Sequence, residues 1–470
     1  MKILEFSFYL ITKGGNNFML FDLINDTIQK EDLGEEVSYI PTYPSGIDIM
    51  DYRNGRIEHG KLTTGFDGGR IITVIGKSGS GKSTLALKMA CSIVEKYKDG
   101  NIFHYDFERA TNTARVRSIS GWDDETIDKK YKNLQRNIYS ESIYKIAKAI
   151  DKLKNKPETY DEIKLDSGEK DSSGNPIYVL PPTVLLIDSY ALMMPEDISE
   201  EEKLSGSMSA SSIAKVNNSV IKRLVGPLER GNIIMIIINH ITTKIEINAF
   251  AKTQAAVNYL KQDESLPGGS SLVYLSNNLI RCTTSTKLDE DSTYGIKGFM
   301  VKGEFIKSRA NEAGRQFEMV FEQSTGFDNV LTNLANFKDL GLLKGSPRAY
   351  YLEGCPDIKF TLKTFKTKYE ENEELRDEVQ RLVEENYIKF IPHYEKFIKN
   401  KLKEEEKNIE EKPKKETKSK KSSKKEETIE EVEDDEISLV ECVDEEQDVW
   451  LGSDGNYYTS EGEEVEYEDE

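Results

Sequence analysis

Eight residues, Gly76-Lys77-Ser78-Gly79-Ser80-Gly81-Lys82-Ser83, fit the spacing G-x-x-x-x-G-K-[ST]. Glycines so placed let backbone N–H groups close around phosphate oxygens, and the N-terminus of a following helix adds a favourable dipole. Lys82 would reach the β- and γ-phosphates, the Ser83 hydroxyl would hold Mg²⁺, and Thr84 completes the stretch that meets the nucleotide. The chemistry is that of a nucleoside triphosphate site. Thr183–Asp188, followed by Ser189, is an apolar run ending in a carboxylate that could support the same metal. Strands often end in Asp, so this run gains meaning from the glycine loop on the same chain. Glu108 follows Ile102-Phe-His-Tyr-Asp106-Phe107 and suits a general base for an attacking water, or equally a surface Glu on a loop. His240 follows Ile233–Asn239. It could sense the γ-phosphate, or be a neutral His satisfied by local hydrogen bonds.

The elements that must position these groups follow from hydrophobic periodicity. Ile71–Ile75, Ile102–Asp106, Val184–Asp188 and Ile233–Asn239 are continuous β-rich runs, as expected for strands buried on both faces. Leu85, Met89, Ile93 and Tyr97, then Ile143, Ile146, Ile150 and Leu153, recur at helical spacing. Strand–helix alternation predicts a mainly parallel sheet with helices on both sides, an α/β fold. Asn278–Thr284 and Phe299–Ile306 would extend the sheet. The polar stretch Pro157–Pro182, with its Asp-Ser-Gly and Ser-Gly-Asn-Pro turns, is expected to be a surface insertion. The expected organisation is an N-terminal segment over 1–44, an ATPase core over 45–337, a small C-terminal domain over 338–398, a Lys/Glu-rich linker over 399–425 and a disordered acidic tail over 426–470.

Charge sharpens the picture. The 470 residues carry a formal charge of −20, which by itself argues against a nucleic-acid partner. Residues 426–470, however, hold 21 Asp/Glu and no Lys or Arg, leaving 63 acidic against 64 basic residues elsewhere. The acidity is a tail, not a property of the fold. Cys91, Cys282, Cys355 and Cys442 lie far apart without C-x-x-C spacing, which suits a reducing cytoplasm and excludes a disulfide scaffold. No stretch reaches the ~18–20 apolar residues of a membrane span. The apolar start, Met1–Ile11, is interrupted by Glu5 and reads as a buried strand or packing segment rather than an export signal.

The order of motifs resembles the RecA family of recombinases: glycine loop, strand ending Asp106-x-Glu108, Asp188-Ser189, strand ending Asn239-His240, Pro267-Gly-Gly loop, then Ile306-Lys307-Ser-Arg309. The resemblance runs from about Ser45 to Leu343, and the Asn-His and Asp-x-Glu versions look most like the phage UvsX branch. It implies a RecA-like P-loop ATPase using ATP and Mg²⁺ (Ser83, Asp188), with Glu108 as catalytic carboxylate and His240 as γ-phosphate sensor. Lys307 and Arg309 resemble a basic pair that reaches the neighbouring subunit's ATP; without the family they would be ordinary strand-edge charges. Asn112 and Arg115 stand where family members contact adenine, although Arg replaces the usual aromatic there. Pro195–Ser209 and Ile241–Gly269 fall where the family's two DNA-binding loops lie. Lys203, Lys244, Lys252 and Lys261 are placed there for phosphate contacts and Met208, Phe250 and Tyr259 for base stacking or wedging. Each could instead be a solvated loop residue.

The implied function is homologous pairing and strand exchange by a helical filament on single-stranded DNA, with double-stranded DNA as second substrate. A RecA-like ring helicase and a non-enzymatic single-strand-binding protein are the alternatives. The tail, with Trp450, Tyr457, Tyr458 and Tyr467, could compete with DNA for the basic loops, dock a single-strand-binding protein or mediator, or serve only solubility. The expected compartment is the cytoplasm, that of an infected bacterium if the phage resemblance holds.

Overall fold

The computed structural model describes residues 39–58, 60–171, 173–199, 206–243, 260–261, 264–267, 270–291, 293–399 and 401, and the strands within 439–465. The N-terminal run Met1–Ile11 lies outside the described residues. Up to Asn400 the chain forms one compact unit around a nine-stranded sheet. Its strands are β1 (Ile71–Gly76), β2 (Asn101–Asp106), β3 (Tyr131–Leu134), β4 (Thr183–Asp188), β5 (Ile233–His240), β6 (Asn278–Leu288), β7 (Gly298–Ser308), β8 (Gln316–Glu322) and β9 (Gly326–Asp328). They lie in the order β9-β8-β7-β6-β1-β5-β4-β2-β3. From β6 to β3 every neighbouring pair is parallel. From β6 outward to β9 the pairs are antiparallel.

The parallel strands read as unbroken apolar runs because both faces are covered. Ile72, Val74, Val184, Leu186, Ile234, Ile236 and Ile238 share one core cluster with Leu85, Met89 and Ile93 of helix α1 (Lys82–Glu95). The alternate residues Ile71, Leu185, Ile187, Ile233, Met235 and Ile237 pack on the other face. There they meet Ile143 and Ala147 of α2 (Ser140–Lys154), and Ile221, Leu224 and Leu228 of α3 (Gly206–Arg230). This is the two-residue alternation of a strand between two helical layers.

The stretch 157–182 forms a short helix, Pro157–Ile163, and a hairpin of Leu165–Lys170 with Pro176–Val179. Lys154 pins its root: the buried ammonium donates to Pro181 O at 2.6 Å and Gly231 O at 3.0 Å. The helix α4 (Asn329–Asp339) runs across the boundary at 337/338. Beyond it lie a three-stranded antiparallel sheet and two helices, Phe365–Glu371 and α5 (Glu373–Tyr387). Leu352, Phe360, Phe365 and Tyr387 of this region join the same hydrophobic cluster as α1. The Tyr387 hydroxyl donates to Asn333 on α4, whose amide in turn donates to Asp48.

In the second unit, Lys401–Glu470, the strands Leu439–Asp444, Val449–Gly452, Tyr457–Tyr458 and Glu464–Val465 form an antiparallel meander. A disordered tail was the expectation, so these strands are a difference. Short runs of Val, Leu, Trp and Tyr interrupt the acidic sequence, and these residue types favour pleated pairing. The register sets Trp450 opposite both Cys442 and Tyr458.

Lys154 gives the fold a pH signature. Burial pushes its pKa down from 10.5 to about 7, so the folded chain holds this proton less tightly than the unfolded one. Stability therefore rises as pH climbs from about 7 towards 10.5 and carries the full burial cost below 7. Chemical denaturation at pH 7 and 9 should show the native chain gaining about 2 kcal/mol relative to Lys154→Met, at 1.36 kcal/mol per unit. A pH-independent difference would contradict the assignment.

Candidate active site

Parallel pairing brings the strand ends together on one edge of the sheet. Gly76 is in register with His240 and with Cys282, and Asp188 with Asp106. The glycine loop leaves β1 at this edge and enters α1 directly. Gly76 has no room for a side chain, because a Cβ there would lie 2.5 Å from both Cys282 O and Ser80 Oγ. Gly81 has φ +83°, the left-handed region, and precedes α1 without any side-chain cap. The first-turn N–H groups of α1 are thus left for an anion.

Lys82 Nζ donates to Lys77 O at 2.7 Å, closing the loop on itself. Burial draws the Lys82 pKa down, the condition of a cation awaiting a strong anion. The Asp188 carboxylate lies near the Ser83 hydroxyl, and burial raises its pKa to about 6. Asp188 Oδ1 is buried with no partner. A hydroxyl and an under-satisfied carboxylate are hard oxygen donors that fit Mg²⁺. Among the described residues no group of three or more His, Cys, Asp or Glu could hold a metal. A cation here would take its remaining ligands from phosphate and water.

Asp188 also fixes the second strand's exit. Its carbonyl accepts Phe107 N at 2.7 Å and Glu108 N at 3.2 Å. Glu108 Oε1 lies 3.2 Å from His240 Nε2. Both side chains line a cavity of 570 Å³ together with Ser78, Gly79, Gly81, Lys82, Ser83, Thr84 and Arg115. Gly76, Lys77 and Ser80 shape the loop from behind rather than line the cavity. Next to His240, Asn239 Nδ2 donates to Pro267 O at 2.9 Å, and Thr242–Thr243 pair with Glu264–Ser265. The end of β5 is thereby tied to the residues on the far side of the stretch 244–263.

Of the two residues expected at the adenine, Arg115 lines the cavity and Asn112 does not. The Arg115 guanidinium donates to Ser324 O and Thr84 Oγ1, each at 3.1 Å. The Asn112 side chain instead caps the helix Thr113–Ser120, accepting Arg115 N at 2.9 Å. The opposite wall, absent from the sequence reading, comes from β6 to β8 and their connections: Lys287, Lys297, Phe299, Phe321 and Gln323. Phe299 and Phe321 stack with centroids 4.4 Å apart. Nothing in their local sequence separates them from core phenylalanines.

Lys307 and Arg309 lie elsewhere. Lys307 is in register with Leu279, and Leu279 with Thr73, three residues before Gly76. At ~3.3 Å per residue this is roughly 10 Å back along the strands. Lys307 Nζ donates to Val273 O at 2.7 Å and Tyr274 O at 2.8 Å, and Arg309 to Tyr274 O at 2.5 Å. Burial, reinforced by Arg309, lowers the Lys307 pKa to about 8. Neither residue lines the cavity of its own chain.

The side chains of Lys203, Met208, Lys244, Phe250, Lys252 and Tyr259 lie outside the described residues. The stretch 195–209, expected as a loop, includes the helix Glu196–Ser199 and the backbone start of α3. Lys261 is exposed, with its backbone N–H bonded to Glu264 Oε2 at 3.0 Å.

A glycine-loop nucleotide site at the carboxyl edge of a mainly parallel sheet defines the class of protein. Comparison with known proteins narrows it. No family model matches the chain. It is similar to Protein RecA of Aquifex pyrophilus, 23% identical over 351 residues, covering 74% of this chain and 84% of that one. Protein RecA of Aquifex aeolicus is 22% identical over 347 residues, with 74% and 84% covered. Protein RecA of Lactobacillus johnsonii is 23% identical over 361 residues, with 76% and 83% covered. These similarities support the RecA family as the group to which the chain is related.

Gly81→Ala tests the loop. A Cβ there would meet the Phe327 ring at 3.0 Å in a backbone region that disfavours side chains. Left-handed strain of about 1–2 kcal/mol should reach the phosphate cradle and weaken ATP binding roughly tenfold. Isothermal titration should show this with the melting temperature little changed; unaltered affinity would mean the loop does not cradle phosphate.

Proposed function

We propose that this chain is an ATP-dependent DNA recombinase of the phage UvsX type. It assembles as a helical filament on single-stranded DNA and pairs it with a homologous duplex. The observation that carries the proposal is a separation between two groups of polar residues on opposite edges of the sheet. The phosphate loop, Asp188, Glu108 and His240 occupy the carboxyl edge, while Lys307 and Arg309 stand back from it and outside the cavity. Head-to-tail stacking of subunits would bring the two edges together, and a contact of that kind repeats into a filament when it does not close. Similarity to RecA proteins over about three quarters of the chain supports the same reading.

In the proposed mechanism the loop amides and Lys82 hold the β- and γ-phosphates. Ser83, with Asp188 behind it, would hold Mg²⁺, which would supply neutralisation of phosphate charge. Glu108 takes the proton from the attacking water and His240 meets the γ-phosphate. Lys307 and Arg309 of the adjacent subunit stabilise the transferred charge as fixed cations. Through Asn239 and the Thr242–Thr243 ladder, nucleotide state at His240 reaches the loop carrying Lys244, Phe250, Lys252, Tyr259 and Lys261, with Lys203 and Met208 on the other DNA-binding stretch. Phe321 and Arg115 would meet the base. The acidic C-terminal segment would compete with DNA for these cations or dock a single-strand-binding protein or mediator. The cytoplasm of an infected bacterium is the proposed setting. Among the described residues no helix is long and apolar enough to cross a membrane.

Two experiments test the reading. Glu108→Gln should bind ATP normally, lose hydrolysis by about 10²-fold or more and leave longer-lived filaments on single-stranded DNA. Normal DNA-stimulated hydrolysis by this variant would remove Glu108 from the base role. The double variant Lys307→Ala/Arg309→Ala should bind ATP but not hydrolyse it cooperatively. Mixed with Lys82→Ala, it should regain activity, since each supplies the half-site the other lacks. Absence of rescue at every mixing ratio would contradict a shared site.

A further inference from the structure

The Asp106-x-Glu108 pair contains one acid to which the mechanism gives no task. Asp106 is fully buried at the end of β2, two residues before Glu108. Its carboxylate accepts Ala110 N at 3.2 Å and Thr111 N at 3.0 Å, so the chain folds back over it just after Glu108. Arg109 N bonds Asp106 O at 3.2 Å, and Arg109 itself sits at φ +54° to make the turn. Gln135, next to β3 at the sheet edge, completes the arrangement. Its Nε2 donates to Asp106 Oδ2 at 2.8 Å and to Thr111 O at 3.2 Å. Asn133 Nδ2 adds a bond to the same Thr111 carbonyl at 3.0 Å.

We propose that Gln135 and Asp106 are positioning residues for hydrolysis, clamping the turn 106–111 so that Glu108 is held at a fixed place beside Asp188. The turn is fastened from two sides. Asp188 O takes the Phe107 and Glu108 amides at its inner end, and the Asp106–Gln135–Thr111 bonds hold its outer end. Among the described residues the polar side chain that Glu108 bonds is His240, so its side chain owes its direction largely to the backbone that carries it. A base must stand within hydrogen-bond reach of its water, and a displacement of about 1 Å costs on the order of 10²-fold in rate. Burial alone would raise the Asp106 pKa, but the Gln135, Thr111 and Ala110 bonds and nearby His104 hold it below the ordinary value. The carboxylate thus stays ionised, an acceptor for all three donors. None of these residues touches the cavity, so the clamp would act on turnover and not on binding.

This inference rests on Glu108 being the base. The test is Gln135→Met, which keeps the side chain's length and removes its donors, with Gln135→Lys as the variant that keeps a donor able to reach both acceptors. Gln135→Met should lower DNA-stimulated kcat about ten- to a hundredfold while leaving ATP affinity, KM and melting temperature close to native. Gln135→Lys should recover most of the loss. In a Glu108→Gln background, Gln135→Met should not slow the residual single-turnover hydrolysis further. Three results would overturn the clamp: native kcat in Gln135→Met, equal losses in kcat and ATP affinity, or losses that multiply with Glu108→Gln. If Glu108→Gln alone retains native hydrolysis, the base assignment fails first, a different outcome read in the same assay.

Discussion

A buried carboxylate at the end of an interior strand is the constraint on which the site depends. Asp188 stands at the carboxyl edge of β4, between β2 and β5, near the Ser83 hydroxyl and with its Oδ1 buried without a partner. An ionised group in that position costs several kcal/mol unless charge or hydrogen bonds compensate it, and its pKa rises to about 6 accordingly. A divalent cation is the natural compensation. The same residue's carbonyl receives the Phe107 and Glu108 amides. One strand end therefore places the proposed metal ligand and locates the proposed base relative to it.

From that point the remainder of the edge follows by register. Parallel pairing puts Gly76 level with His240, and Asp106 level with Asp188. The apolar runs that bury the sheet on both faces thus also set the spacing of the polar groups at its edge. A one-residue slip in any central strand would turn its edge group to the other face. Core packing and site geometry are consequences of the same pairing.

How much was legible in sequence differs by element. The interior strands were legible because Ile, Val and Leu run without interruption where both faces are buried. The phosphate loop was legible because only glycines tolerate Gly76's crowding and Gly81's positive φ. The edge strand β3, Tyr-Lys-Asn-Leu, was not: it is short and half polar, and only pairing with β2 makes it a strand. Gln135 was hidden for the same reason, since its partners lie 24 and 29 positions earlier. Phe299 and Phe321 carried a periodicity identical to that of core strands, so their place in the cavity wall emerged only from the fold. Asn112 matched a contact position by order along the chain, yet its side chain serves the helix it begins. In the C-terminal segment charge outweighed a few aromatic and branched residues in the reading, whereas the backbone pairs them.

The central claim is that the hydrolytic site is complete only between adjacent subunits on DNA. ATP turnover per subunit, measured at saturating ATP and single-stranded DNA across a wide range of protein concentration, addresses it most directly. The account predicts turnover that rises steeply and cooperatively with concentration and vanishes at dilutions where subunits on DNA are isolated. Turnover per subunit that stays constant down to those dilutions would contradict it, because a lone chain would then contain every group that hydrolysis needs.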